Sequence, residues 1–270
     1  MRIERRHDPT AEYDTTSCRH TAYRFTVHRD YLAHVLRWGW ATTFINDTVK
    51  VVEPGCGADS PLYHALKRSR GSNMRPKLYV GADLNKISAL KTKKTEGELA
   101  RTMVLLEDFN FVERWREIKK RWGASFDLAV SFEVIEHMTE PLGDAYLSAT
   151  HALLGPKGRL IISTPVFNGS AAKNHVREYT VAELHDKLSS CGFEVVDRFG
   201  TFASWPDVKR GIKETMSPDD ARVLLRAFER AREFYGAEVM ACFTAPLLPD
   251  HSRNNAWVAV KKAKRKPRRG

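Results

Sequence analysis

Four acidic residues stand where apolar runs end. They are Glu53 after Val51-Val52, Asp83 after 78–82, Asp108 after 102–106 and Glu133 after 126–131. A carboxylate offers two acceptor oxygens and a negative charge, so such a row suits a ligand rich in donors and cationic groups. The first acid leads into Gly55-Cys56-Gly57, and glycines let a backbone approach a ligand closely. A dinucleotide fingerprint would require a third glycine at position 60, where Ser60 stands. Glu53 would also repel a pyrophosphate while tolerating a cation. The chemistry points to a nucleotide-like ligand that carries positive charge.

The elements that must position these residues read as strands alternating with helices. Strands are expected at 48–53, 78–83, 102–106, 126–131, 159–163, 193–199 and 256–260, and helices near 28–45, 60–68, 111–122, 141–154 and 180–188. Ser60-Pro61 marks a helix start, with Ser60 as N-cap. Thr180 with Glu183 forms a capping box, and Gly155-Pro156-Lys157-Gly158 reads as a turn before the fifth strand. A lysine-rich helix-like stretch follows the second strand. The expected fold is α/β: a Rossmann-like, seven-stranded, mostly parallel sheet flanked by helices, with a helical insertion before the last strand. The expected organisation is an N-terminal segment with a helix (1–47), a core (48–202), a helical insertion (203–252), the last core strand (253–262) and a disordered basic tail (263–270). Ligands of open α/β sheets bind at the carboxyl ends of the strands, which is where the four acids fall.

Acid, spacer, Gly-x-Gly followed by acids at the next strand ends resembles the class I S-adenosylmethionine (SAM)-dependent methyltransferases over about 49–199 and 256–260. The resemblance implies that Glu53 orients the methionine ammonium and that Gly55 and Gly57 pass the methionine and ribose. It implies that Asp83 takes the ribose diol, that Leu84 lies against the adenine, and that Asp108 takes the adenine amino group beside Phe109. The spacing of thirty residues from Glu53 to Asp83 exceeds the twenty or so of compact units, and a basic loop at 69–76 takes up the excess. Ser131-Phe132-Glu133-Val134-Ile135-Glu136-His137-Met138 looks like the fourth-strand motif of the ubiquinone-biosynthesis-type and small-molecule O-methyltransferases. There Glu133 would lie near the methyl-bearing part of SAM. His175, Arg177 and Tyr179 would sit on a rim where acceptors bind, and S-adenosylhomocysteine would be the product.

Methyl transfer from a sulfonium needs in-line positioning and exclusion of water. An O-methyl acceptor also loses a proton, and His137 is the best-placed base; its alternative role is to stabilise the loop after the fourth strand. Glu133, Glu136, His137 and His175 also resemble the metal-binding set of small-RNA 2′-O-methyltransferases, although a second, closely spaced histidine around His175 is missing. DNA base methylation by the standard routes is excluded by the lack of an Asp/Asn-Pro-Pro-aromatic box or a Pro-Cys nucleophile at the fourth strand.

Composition bounds the rest. The 270-residue chain carries a formal charge of +11, and seven of its positive charges lie in the last ten residues. Such a run attracts polyanions without reading sequence, or simply solubilises the end. A small-molecule acceptor is the leading partner, with nucleic acid possible through the tail. Four scattered cysteines show no metal-ligand pairing, and no apolar run is long enough to span a bilayer. Cytoplasmic residence is the default expectation. A further alternative is a catalytically silent SAM-fold binding or assembly protein.

Overall fold

The computed structural model describes residues 29–68, 75–88, 102–123 and 125–262. The expected N-terminal segment up to residue 28, most of the basic loop, most of the lysine-rich stretch and the basic tail lie outside the described residues. Helix α1 (Arg29–Thr42) precedes β1 (Lys50–Pro54), α2 (Pro61–Arg68), β2 (Leu78–Ala82) and β3 (Met103–Leu106). Then come α3 (Phe111–Trp122), β4 (Phe126–Phe132), a single 3-10 turn (Ile135–His137), α4 (Glu140–Leu153) and β5 (Leu154–Pro165). Helix α5 (Val181–Ser190) and β6 (Phe193–Phe202) lead into α6 (Trp205–Thr215), α7 (Pro218–Tyr235) and α8 (Ala237–Thr244), and β7 (Asn254–Lys261) closes the sheet.

The sheet runs β3-β2-β1-β4-β5-β7-β6, parallel except for β7, which is antiparallel to both neighbours. Side chains of a strand alternate between faces, and the core divides accordingly. Val52, Val80, Ala129, Ile162 and Trp257 pack with Ile118, Tyr146, Leu147 and Leu188 on one face. Val51, Tyr79, Val130, Ile161 and Val258 pack with Ala41, Leu62 and Leu66 on the other. Helices pack on both faces of the sheet, and open α/β sheets of this kind receive ligands at the carboxyl ends of their strands. A third cluster, Ala203, Val208, Ile212, Ala221, Ala245 and Leu248, holds together the helices between β6 and β7.

Local signals explain most boundaries. The Thr180–Glu183 capping box is formed, and Ser217 caps α7 by accepting from Asp220 N. One expectation holds in part and one fails. Helix α2 does start at Pro61, with the Ser60 carbonyl accepting from His64 N at 3.1 Å, but Ser60 has φ 43 and its hydroxyl donates to the Gly57 carbonyl at 3.1 Å. The expected turn at 155–158 is a bulge inside β5: Leu154 pairs with Phe126 and Arg159 with Leu128, so pairing brackets the glycines.

Candidate active site

Order in the sheet turns the four acids into a row. Reading β3, β2, β1, β4, the strand ends present Asp108, Asp83, Glu53 and Glu133 in that spatial sequence. Two of them, Asp108 (φ 49) and Glu133 (φ 58), adopt the left-handed conformation that non-glycine residues seldom occupy. Such strain clusters where a turn must aim a side chain.

Glu53 is buried, and the hydroxyl of Tyr79 donates to its Oε2. Burial pushes its carboxyl up to about 8; the Tyr79 hydrogen bond opposes the rise and the nearby Asp83 adds to it. Gly81 makes this contact feasible, because a Cβ there would lie 2.8 Å from the Tyr79 hydroxyl oxygen. Gly55 has φ 77, and a Cβ on it would meet Val134 Cγ2 at 2.6 Å, so this glycine is obligatory for packing as well as for backbone conformation. Gly57 has φ 76 and open space where a Cβ would stand.

Asp83 accepts from Gly57 N at 2.8 Å on Oδ2, and from Asn85 N and Nδ2 at 2.9 and 3.0 Å on Oδ1. Both lone pairs of Oδ1 are thereby engaged, and Oδ2 keeps a second one for a ligand. Leu84 is exposed beside it, 66 % accessible, as a ligand-facing apolar residue would be. Asp108 is exposed and Phe109 is buried, with the Arg114 guanidinium stacked 4.4 Å from the Phe109 ring centroid. Asp83 is buried at the strand end, with the exposed Leu84 and Asp108 to either side of it along the ligand edge.

Glu133 is held from three elements. Ser163 of β5 donates to Oε1 at 2.6 Å, Asn254 of β7 donates to Oε2 at 2.8 Å, and Arg37 of α1 lies 3.7 Å from Oε1. Burial works to raise its carboxyl, but the charges of Arg37 and His34 and these hydrogen bonds outweigh it and hold the group below the ordinary range. Glu136 behaves oppositely: burial, and then its neighbour Glu133, push it well above that range. Thr164 donates to Glu136 Oε2 at 3.1 Å, while Oε1 has no hydrogen-bond partner among the described residues.

His137 is exposed at the end of the 3-10 turn, and its Nδ1 lies 3.1 Å from the Asn174 carbonyl. A carbonyl only accepts, so Nδ1 carries the proton and Nε2 keeps a lone pair in the neutral ring. The His175 ring crosses it edge-on at 5.1 Å, and its Nδ1 contacts Glu178 Oε1 at 2.6 Å. Glu136, His137 and His175 each offer a ligand atom within 4.8 Å of the others. Glu133 is not in this group, its oxygens being engaged elsewhere, so the four-residue metal alternative to the metal-free expectation reduces to three residues.

The rim expected from His175, Arg177 and Tyr179 is corrected at Tyr179. Tyr179 is 1 % exposed and packs in the core against Gly143, with Arg177 and Lys187 over its ring. The Arg177 side chain turns to Glu140 and Glu183. Arg177 stays partly exposed within this acidic cluster of α4 and α5, while the Tyr179 ring is buried where Gly143 leaves it space. The sequence reading missed Arg37, Tyr79, Asn85, Ser163 and Asn254. Of these only Tyr79 left a trace, a glycine two residues on in the strand interior.

A family model described as a methyltransferase domain matches residues 23–231. The chain belongs to this methyltransferase-domain family, and its fold is that of the class I SAM-dependent enzymes. It is 36 % identical over 86 residues to a probable SAM-dependent methyltransferase of Mycolicibacterium smegmatis, a match covering 29 % of this chain and 33 % of that protein. It is 34 % identical over 96 residues to the ubiquinone biosynthesis O-methyltransferase of Ruegeria pomeroyi, covering 29 % of this chain and 38 % of that protein. The matches therefore span little more than a third of these curated relatives. A SAM-dependent methyltransferase from Archaeoglobus fulgidus superimposes with a TM-score of 0.52 at 16 % identity, over 87 % of this chain and 95 % of that one. Among the described residues no helix is long and apolar enough to cross a membrane.

Proposed function

We propose that this chain transfers a methyl group from SAM to an oxygen of a small-molecule acceptor. The observation that carries the reading is the row Asp108, Asp83, Glu53, Glu133 across adjacent strand ends, an order compatible with the adenine, ribose, ammonium and methyl-end roles that the family resemblance implies. SAM supplies a methyl carbon already activated by the sulfonium. Asp83 receives the ribose hydroxyls, Glu53 the ammonium, and Asp108 the adenine amino group. His137, with Nδ1 committed to Asn174, offers Nε2 to the acceptor hydroxyl and takes its proton as the oxygen attacks. The fragment of likeness to an O-methyltransferase of ubiquinone biosynthesis favours oxygen and a small acceptor. A second reading, an RNA 2′-O-methyltransferase, is favoured by the convergence of Glu136, His137 and His175, which would hold a divalent cation against ribose hydroxyls.

Incubation with methyl-labelled SAM and cell extract tests both. Label in a nuclease-resistant small-molecule fraction, lost in His137→Ala, is the expected result. Label in nuclease-sensitive polymer, abolished by a chelator, would transfer the assignment to RNA. Transfer undiminished in His137→Ala would remove the base from the mechanism. Binding of SAM without any transfer would leave the silent SAM-fold protein.

A further inference from the structure

Arg37 is 3 % exposed, yet its guanidinium lies at the ligand edge of the sheet. Nη1 donates to Thr201 Oγ1 at 3.1 Å and to Asn254 Oδ1 at 3.2 Å, and Nη2 meets His34 Nδ1 at 2.9 Å. Asn254 passes the contact on: its oxygen faces Arg37 and its nitrogen donates to Glu133 Oε2. The Glu133 carboxylate is therefore gripped directly by a cation at 3.7 Å, and again through a bridging amide. It keeps 19 % side-chain exposure at the end of β4. Helix α1 lies outside the β1–β5 unit, so this grip ties a preceding helix to the strand end.

We propose that Arg37 is a positioning residue that fixes the Glu133 carboxylate beside the methyl-bearing, cationic end of the bound SAM. The inference rests on the SAM reading above. Both Glu133 oxygens already accept inward hydrogen bonds, so the group cannot swing toward the sulfonium and collapse onto it. Its charge acts from a fixed place. A fixed anion there discriminates a cationic ligand from its neutral counterpart, which is the difference between SAM and S-adenosylhomocysteine. An Arg–carboxylate pair that served only folding would leave that discrimination unchanged.

The test is calorimetric titration of SAM and of S-adenosylhomocysteine into wild type, Arg37→Met, Arg37→Lys and Glu133→Gln, each first checked for a cooperative unfolding transition. Arg37→Met should weaken SAM binding about tenfold and S-adenosylhomocysteine binding less than about twofold. Arg37→Lys, which retains the charge but not the fork, should recover most of the loss. Glu133→Gln should reproduce the SAM-selective loss, and this decides the matter should Arg37→Met not fold. In the Glu133→Gln background Arg37→Met should add nothing further, because the two act as one unit. Equal weakening of both ligands, or additive losses in the double variant, would overturn the inference while leaving the cofactor reading intact. Wild type that binds neither ligand would overturn both.

Discussion

Replacing Glu53 by Gln isolates the cost of placing a carboxyl at the buried end of β1. Burial carries its pKa from the ordinary 4.5 to about 8. At about 1.4 kcal/mol per pH unit, that displacement is worth about 4–5 kcal/mol once both states are ionised. The folded value lies above the unfolded one, so the folded chain retains a proton that the unfolded chain releases. Stability from this group is fully present below about pH 4.5 and is lost as pH rises through about 8. Gln stays neutral throughout and its amide oxygen can still accept from Tyr79. The advantage of Glu53→Gln over wild type in urea unfolding should therefore grow by about 3 kcal/mol between about pH 5.5 and 8.5. A constant difference, or a variant that falls behind wild type at the higher pH, would refute the burial argument. The same proton reports on the ligand. If the methionine ammonium docks here, SAM binding near neutral pH should release close to one proton, read from calorimetry in buffers of different ionisation enthalpy.

Other consequences are measurable separately. His137→Ala should lower turnover by about 10²–10⁴-fold while leaving SAM affinity within about twofold, and full activity in the variant would reduce His137 to a loop contact. Gly55→Ala should destabilise by about 2–4 kcal/mol in chemical unfolding, from positive φ and from the Val134 clash together. Adding Val134→Ala should relieve only the clash, leaving the φ penalty as a residue; complete rescue would mean that the left-handed conformation costs nothing. Tyr179→Phe should leave acceptor kinetics unchanged, since its hydroxyl is buried without a hydrogen-bond partner among the described residues; a raised KM would restore it to the rim.

The features legible in the sequence were those written in local periodicity and turn chemistry. Short apolar runs marked the strands, Thr180 with Glu183 marked a helix start, and an acid at each of four strand ends marked the expected ligand edge. What escaped depends on tertiary proximity. Arg37 sits three residues after His34 on a helix whose stripe reads as ordinary packing, and only the arrival of β7 brings Asn254 between it and Glu133. Tyr179 follows Arg177 in a polar segment that looks like rim; its ring is buried because Gly143 leaves space for it. Ser60 carries the right residue type for a cap, but the Gly57 carbonyl competes for its hydroxyl. The 155–158 glycines do turn the chain, yet pairing on both sides keeps them within β5.

The central claim is that SAM lies across the row of strand-end acids, with Asp83 at the ribose. Calorimetric titration of S-adenosylhomocysteine into wild type and Asp83→Ala tests it most directly. Wild type should give saturable one-to-one binding. Asp83→Ala should weaken it by about 10–100-fold through loss of a hydrogen bond to a charged acceptor, with folding cooperativity retained. Wild type without binding, or a variant that binds as tightly, would contradict the account.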